Sequence, residues 1–331
     1  MQILDWYSVE QVAWPVDWAA EFGRSAPLLM EIGFGSGQFL SRLARERPEA
    51  DILGVEISLP SLRNAAQKVA KGELANVRLL HASAQAALTL LCAPQSLSEV
   101  YVNYPDPWPK KAHTARRLIS GKFLALLASR MIDGGRLDIS TDHADYAAAI
   151  DDCLAHTPYF TSRRATSYSH DAADRVGTKY EQVALKEGRR GYYFRWGRNA
   201  VPVDALFAIP KEQPMPHVIL RAPVGVSALA ARFQPRYVEL DGTAIKYLEA
   251  YQSLHDGKLL VETFINEEPL KQHICLAVRE RTSGDLIVEM HDVGFPRPTA
   301  GIHQAIRYLA EWIIEEYPAT VIAHSNLLHG T

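Results

Sequence analysis

Carboxylates placed beside glycine- and proline-rich turns are the first chemistry visible in this chain. The run Glu31-Ile32-Gly33-Phe34-Gly35-Ser36-Gly37 sets an acid just ahead of three alternating glycines. Glycine has no Cβ, so such a loop lets backbone close tightly on a ligand. A pyrophosphate-binding turn asks for G-x-G-x-x-G, and Gln38 stands at the third position, so the dinucleotide fingerprint fails. A second acid, Glu56, closes the apolar stretch DILGVEI. A third, Asp106, lies between Pro105 and Pro107 with Trp108 next. Two prolines leave the backbone around Asp106 little entropy to lose. A carboxylate so fixed can orient a base or stabilise developing positive charge, and Trp108 offers a stacking face. Lys110, Lys111, Arg116 and Arg117 follow directly, which suits a polyanionic substrate. The bland alternatives are a tight strand–helix turn with surface acids and a rigid loop with a capping Asp.

These residues need elements to position them, and the apolar pattern supplies an alternation of strands and helices. Leu28–Ile32, Asp51–Ile57, Asn76–His81, Glu99–Tyr104 and Gly135–Thr141 read as strands. A helix follows the glycine loop, with Phe39, Leu40 and Leu43 on one face and Ser36 as its N-cap. Further helices are expected at Leu59–Gly72, at Leu118–Met131 ahead of an Asp133-Gly134-Gly135 turn, and at 143–156. Tyr159–Tyr168 and Gly191–Asn199 read as late strands at one edge. The pattern is that of an α/β, Rossmann-like, doubly wound and mostly parallel sheet. Pro202, Pro210, Pro214 and Pro216 mark a linker over 201–216. It divides a domain at 1–200 from a smaller one at 217–331. In the second, strands at Lys258–Ile265, Leu270–Arg281 and Asp285–His291, a helix at Ala300–Tyr317 and a strand at Thr320–Ala323 give an antiparallel α+β fold. Tyr308, Leu309, Trp312 and Ile313 read as that helix's core face.

Composition bounds the function class. The 331 residues are 47% hydrophobic and 22% charged, which excludes a disordered or low-complexity chain. Cys92, Cys153 and Cys275 show neither disulfide-framework nor CxxC spacing and fit a reducing cytoplasm. His113, His143 and His170 form no ligand spacing, so no metal is expected. Neither a leader peptide nor a membrane span is read in the chain. The formal net charge of −3 argues, taken alone, against a nucleic-acid partner. Counted by segment it does not. Residues 101–200 carry 16 Lys+Arg against 11 Asp+Glu, while 201–331 carry 11 against 16. The basic excess, with further clusters at Arg163-Arg164 and from Lys186 to Arg198, lies around the Pro-Asp-Pro-Trp turn and beyond it.

The Glu31–Gly37 run resembles motif I of S-adenosylmethionine (SAM) methyltransferases. The stretches EIGFGSGQFL, GVEIS and NYPDPWPKKAHTARRLIS together resemble the bacterial tRNA (guanine-N7-)-methyltransferases. Ser140-Thr141-Asp142 and Thr178-Lys179-Tyr180-Glu181 match two later motifs, so the likeness covers about residues 15–200. The resemblance implies a seven-stranded methyltransferase sheet and transfer of a methyl group from SAM to N7 of guanine 46 in the tRNA variable loop. It implies SAM contacts from Glu31, Gly33, Gly35, Gly37, Glu56 (toward the ribose hydroxyls), Ser83 and Asp106, with Asp106 also catalytic. It implies tRNA contacts from Lys110, His113, Arg116, Arg117, Asp142, Thr178, Lys179, Tyr180 and Glu181. Two departures stand out. Ser83 replaces the family's usual Asp near the adenine, a weaker acceptor. Ala112 and Ala115 stand where relatives carry basic residues. The competing readings are an amino-group methyltransferase acting on nucleic acid or protein, which carries Asn/Asp-Pro-Pro-aromatic at the same place, and a SAM-independent RNA-binding protein. For the C-terminal domain the roles considered, in order, are homodimer formation, stabilisation of the catalytic domain and shaping of tRNA entry.

Overall fold

The computed structural model describes residues 6–171, 190–203, 207–210, 212–240 and 242–328, the Lys111 side chain excepted. They fall into two compact units, 1–209 and 210–331.

In the first unit, β1 (Tyr7–Ser8), β2 (Leu28–Ile32), β3 (Asp51–Glu56), β4 (Val77–His81), β5 (Leu97–Asn103), β6 (Met131–Thr141), β7 (Phe160–Ser162), β8 (Tyr168–Ser169) and β9 (Tyr192–Arg198) form one sheet. Its order is β1-β4-β3-β2-β5-β6-β9-β7, with β8 also on β9. Without the two-residue strands β1 and β8, a seven-stranded sheet remains. Pairing is parallel from β4 to β6 and antiparallel where β9 meets β6 and β7. The chain winds outward from β2 through β3 to β4, then returns to β5 on the other side of β2. The carboxyl ends of β2 and β5 therefore flank the crevice where such sheets bind ligands.

The sequence explains these elements. All five residues of β2 are buried, the mark of a central parallel strand covered on both faces. Helix α1 (Trp18–Phe22) precedes β2. Leu29, Phe39, Leu40, Leu43, Ile52 and Leu62 cluster between the sheet and helices α2 (Gln38–Glu46) and α3 (Leu59–Lys71). Burial of each large apolar side chain contributes about 1.5–3 kcal/mol. Ser58 caps α3, its hydroxyl accepting from Ser61 N at 3.4 Å. Ser120 caps the helix Gly121–Arg130 in the same way.

Three local expectations are corrected. Ser36 does not cap α2; Gly37 does, in the left-handed conformation that the tight turn demands. Asp133-Gly134-Gly135 is not a separate turn but an irregularity inside β6. Met131 already pairs with Leu97, and pairing resumes at Arg136–Glu99. The late strand at 159–168 is two short ones, β7 and β8, each paired with β9.

The second unit is an antiparallel sheet of β10 (His217–Arg221), β11 (Arg236–Leu240), β12 (Thr243–Gln252), β13 (Leu259–Glu267), β14 (Leu270–Glu280), β15 (Leu286–Met290) and β16 (Val321–Ser325), ordered β11-β12-β13-β14-β15-β10-β16. Sequence reading missed β10, β11 and β12, whose flanking prolines and mixed polarity blur the alternation. The helix Ala300–Glu316 packs on the sheet with Ile302, Ile306, Leu309, Trp312 and Ile313 buried. Trp312 meets Phe233 edge-on at 5.8 Å, so it is core, as its spacing predicted.

The basic middle of the chain is partly structural. Arg130 is buried and donates through Nε to Leu88 O at 2.7 Å and through Nη2 to Phe207 O at 2.6 Å. Arg198 is buried and donates to Ala128 O at 2.9 Å and Val201 O at 2.8 Å. Arg195 pairs with the buried Asp138 at 3.2 Å. Charge counted along a segment therefore overstates the charge facing solvent.

Candidate functional site

A cavity of about 700 Å³ opens at the crevice between β2 and β5. Of the residues singled out from sequence, Glu31, Gly33, Gly35, Glu56, Ser83, Asp106, Arg116 and Asp142 line it. Trp108 lies on the same wall. Gly37, Lys110, His113 and Arg117 are not part of the lining, and Thr178, Lys179, Tyr180 and Glu181 lie outside the described residues.

Glu31, at the end of β2, is 2% exposed. Its Oε1 accepts from Asn103 Nδ2 at 3.2 Å, while Oε2 is buried without a hydrogen-bond partner. Loss of water around this carboxyl, reinforced by the negative Glu56, pushes its pKa up to about 8 against the opposing Asn103 bond. An acid so placed awaits a cationic or hydrogen-bond-donating ligand group.

The glycine loop turns through φ of +71° at Gly33, +54° at Gly35 and +68° at Gly37. Lys68, on α3, donates to the Ser36 carbonyl and ties the loop's outer side down. Glu56 accepts from Gly35 N at 2.9 Å through Oε2, and from Ile57 N at 2.8 Å and Ser58 N at 3.0 Å through Oε1. A carboxylate has about four acceptor positions. Three backbone amides leave room for one further hydroxyl rather than a free fork for two. Ser83 caps the short helix Ala84–Ala86, its hydroxyl oxygen accepting from Ala86 N at 3.1 Å.

After β5 the chain makes the Pro-Asp-Pro turn between two left-handed residues, Tyr104 at φ +51° and Trp108 at φ +42°. Non-glycine residues in that region carry local strain of order 1–3 kcal/mol, which the surroundings must offset. Tyr104 N donates to Ser140 O at 2.9 Å on one side. On the other, Arg117 Nε donates to Pro107 O at 2.8 Å, and its guanidinium lies 5.0 Å over the Tyr146 ring. Arg117 is thus a brace for the turn. Asp106 itself is exposed at the cavity wall. One face of Trp108 is covered by Arg116, 5.0 Å from the ring centre, and His113 meets the ring edge-on at 5.8 Å. The stacking face expected of Trp108 is therefore shared with a cation in this conformation. Lys110 and Arg116 remain exposed.

Asn103 was missed as a site residue, although it opens the NYPDPW run. Its signal is positional: it ends the strand beside β2, so its amide meets the Glu31 carboxyl. Among the described residues no group of His, Cys, Asp and Glu is placed to hold a metal ion, and no helix is long and apolar enough to cross a membrane.

A family model described as a putative methyltransferase matches residues 25–194. A tRNA (guanine-N(7)-)-methyltransferase of Thermus thermophilus is 34% identical over 304 residues, 90% of this chain and 92% of that protein. One from Bordetella parapertussis is 38% identical over 187 residues, 56% of this chain and 73% of the relative. A solved 16S rRNA methyltransferase, KamB, aligns with 57% of this chain and 98% of its own at 15% identity and a TM-score of 0.42. The 304-residue match is longer than the first unit, so likeness to the Thermus protein runs past the linker, where sequence motifs had shown none.

Proposed function

The chain belongs to the tRNA (guanine-N7-)-methyltransferase family, and on that premise we propose that it methylates N7 of a tRNA guanine, at position 46 in the variable loop, with SAM as donor. One observation carries this reading: a single cavity gathers Glu31, the glycine loop, Glu56 and Asp106 at the carboxyl ends of neighbouring strands. The residues fit a cationic nucleoside. Glu31, a buried carboxyl on the cavity lining with one oxygen lacking a hydrogen-bond partner, would hold the cationic methionine end, Glu56 would keep one acceptor for a ribose hydroxyl, and the backbone of Gly33 and Gly35 can approach closely. Bound there, SAM supplies an electrophilic methyl group.

The rest is done by the chain. N7 of guanine has an in-plane lone pair and no proton, so no base is needed to uncover it. The purine becomes positive on methylation, and Asp106 stabilises that charge. Asp142, on the cavity wall, accepts from N1–H and the 2-amino group, a fork of two donors that matches one carboxylate. Glu181 is the second residue of that type in the motifs. Turning a guanine out of folded tRNA costs a few kcal/mol, by analogy with base flipping. Lys110 and Arg116 contribute phosphate contacts.

Nucleoside mass spectrometry of unmodified tRNA treated with protein and SAM tests this reading. 7-Methylguanosine is the expected product; an N2- or N6-methylated nucleoside would favour the amino-group methyltransferase instead. The basic residues separate by role. Lys110→Ala is expected to reduce the slope of log KM for tRNA against log salt by roughly 0.7–0.9. Arg117→Ala is expected to leave that slope unchanged and to lower kcat, because it loosens the turn carrying Asp106. A slope change in Arg117→Ala equal to that in Lys110→Ala would make it a phosphate contact after all.

A further inference from the structure

The sheet orders the cavity from one end to the other. Its central strands run β4-β3-β2-β5. Each sends residues from its carboxyl end to the lining: Ser83 and Gln85 after β4, Glu56 from β3, Glu31 from β2 and Asp106 after β5. The inference rests on reading this cavity as the SAM site. On that reading the methyl group lies by Asp106 and the ribose by Glu56, so the base falls at the β4 end. Ile57, Ala82 and Ala84 give that end apolar walls. Ile57, 69% exposed in the free protein, is apolar surface that a flat ring can cover.

Two polar side chains, Ser83 and Gln85, stand at that end after β4, and both are exposed. The Ser83 hydroxyl oxygen already accepts from Ala86 N at 3.1 Å to cap its short helix. Glu56, the nearest acid along the sheet, already holds three backbone amides. The Gln85 carboxamide has no hydrogen-bond partner among the described residues. Adenine presents an amino donor beside a ring-nitrogen acceptor, and a carboxamide presents the complementary acceptor and donor. A single hydroxyl committed to a cap matches that pair less well. We infer that Gln85 determines base specificity in this cavity: its Oε1 accepts from the 6-amino group of adenine and its Nε2 donates to the neighbouring ring nitrogen. The lining already holds Glu31, Glu56, Asp106 and Asp142, and a neutral amide reads the base without adding another acid.

Titration calorimetry with S-adenosylhomocysteine and with its analogue lacking the 6-amino group tests this. The ratio of the two affinities is the readout, because a loosened fold weakens both ligands alike. The wild-type chain is expected to prefer S-adenosylhomocysteine by at least about fivefold. Gln85→Ala is expected to bring the ratio close to 1. Gln85→Glu, which keeps the acceptor, is expected to preserve the preference, and Ser83→Ala to leave it near the wild-type value. A wild-type ratio near 1, or a ratio lost in Ser83→Ala and kept in Gln85→Ala, would overturn the inference. A wild-type chain that bound neither ligand would be a different result, striking the cofactor reading and the inference with it.

Discussion

Asp106→Asn is expected to lower kcat for tRNA methylation by about 10²-fold at saturating SAM and tRNA, with the fold intact. The substitution keeps shape and an acceptor oxygen and removes only charge. Two unit charges about 4 Å apart interact by ~1 kcal/mol in water and ~4 kcal/mol at the effective dielectric of a protein surface. Asp106 is exposed in the free protein, so its full effect appears only when bound tRNA excludes water, and a loss between those limits follows. The same charge argument separates two ligands. SAM carries a sulfonium charge and S-adenosylhomocysteine does not, so the variant should bind SAM a few-fold more weakly and the product as before. Single-turnover rates and the two affinities check both parts. Full turnover in Asp106→Asn would remove Asp106 as the charge-stabilising residue.

Gly37→Ala is expected to destabilise the first unit by about 2–5 kcal/mol and to weaken cofactor binding with it. Two independent costs add. At φ +68° an alanine enters the left-handed region, at about 1–2 kcal/mol. Its Cβ would also lie 2.8 Å from Ala65 Cβ and 3.3 Å from Ala65 Cα on α3, and overpacking of this kind costs roughly 1–3 kcal/mol. Gly33→Ala is the control: φ is +71° but nothing stands within 4 Å, so only the backbone cost applies to stability. Five of the six tryptophans, Trp6, Trp14, Trp18, Trp108 and Trp196, belong to the first unit. Denaturant unfolding followed by tryptophan fluorescence therefore reports mainly on it. Equal midpoints for Gly37→Ala and Gly33→Ala would show that the contact with α3 yields without cost.

Much of this was legible in the residues themselves. Short apolar runs such as Leu28–Ile32 read as central strands because five residues ending at a glycine loop are too few for a buried helix. Glu31, Glu56 and Asp106 stood out as acids at strand ends beside glycine or proline, and all three line one cavity. What escaped was three-dimensional. Asn103 acts through a neighbouring strand, which linear spacing does not reveal. Arg117 looks like its neighbour Arg116 in sequence, yet one braces Pro107 and the other covers Trp108. Charge counting could not know that Arg130 and Arg198 face backbone carbonyls. In the second unit β12 carries Lys246 and Glu249 on a half-exposed strand, which masked the alternation.

On the proposed reading, the acids around this cavity direct a methyl group to guanine N7 in tRNA. Borohydride reduction followed by aniline cleavage of a methylated transcript tests it at nucleotide resolution. One strand break at the variable-loop guanine is expected, absent when that guanine is replaced by adenine and weakened in step with kcat by Asp106→Asn. Methyl incorporation without a strand break, or breaks at guanines elsewhere, would contradict it.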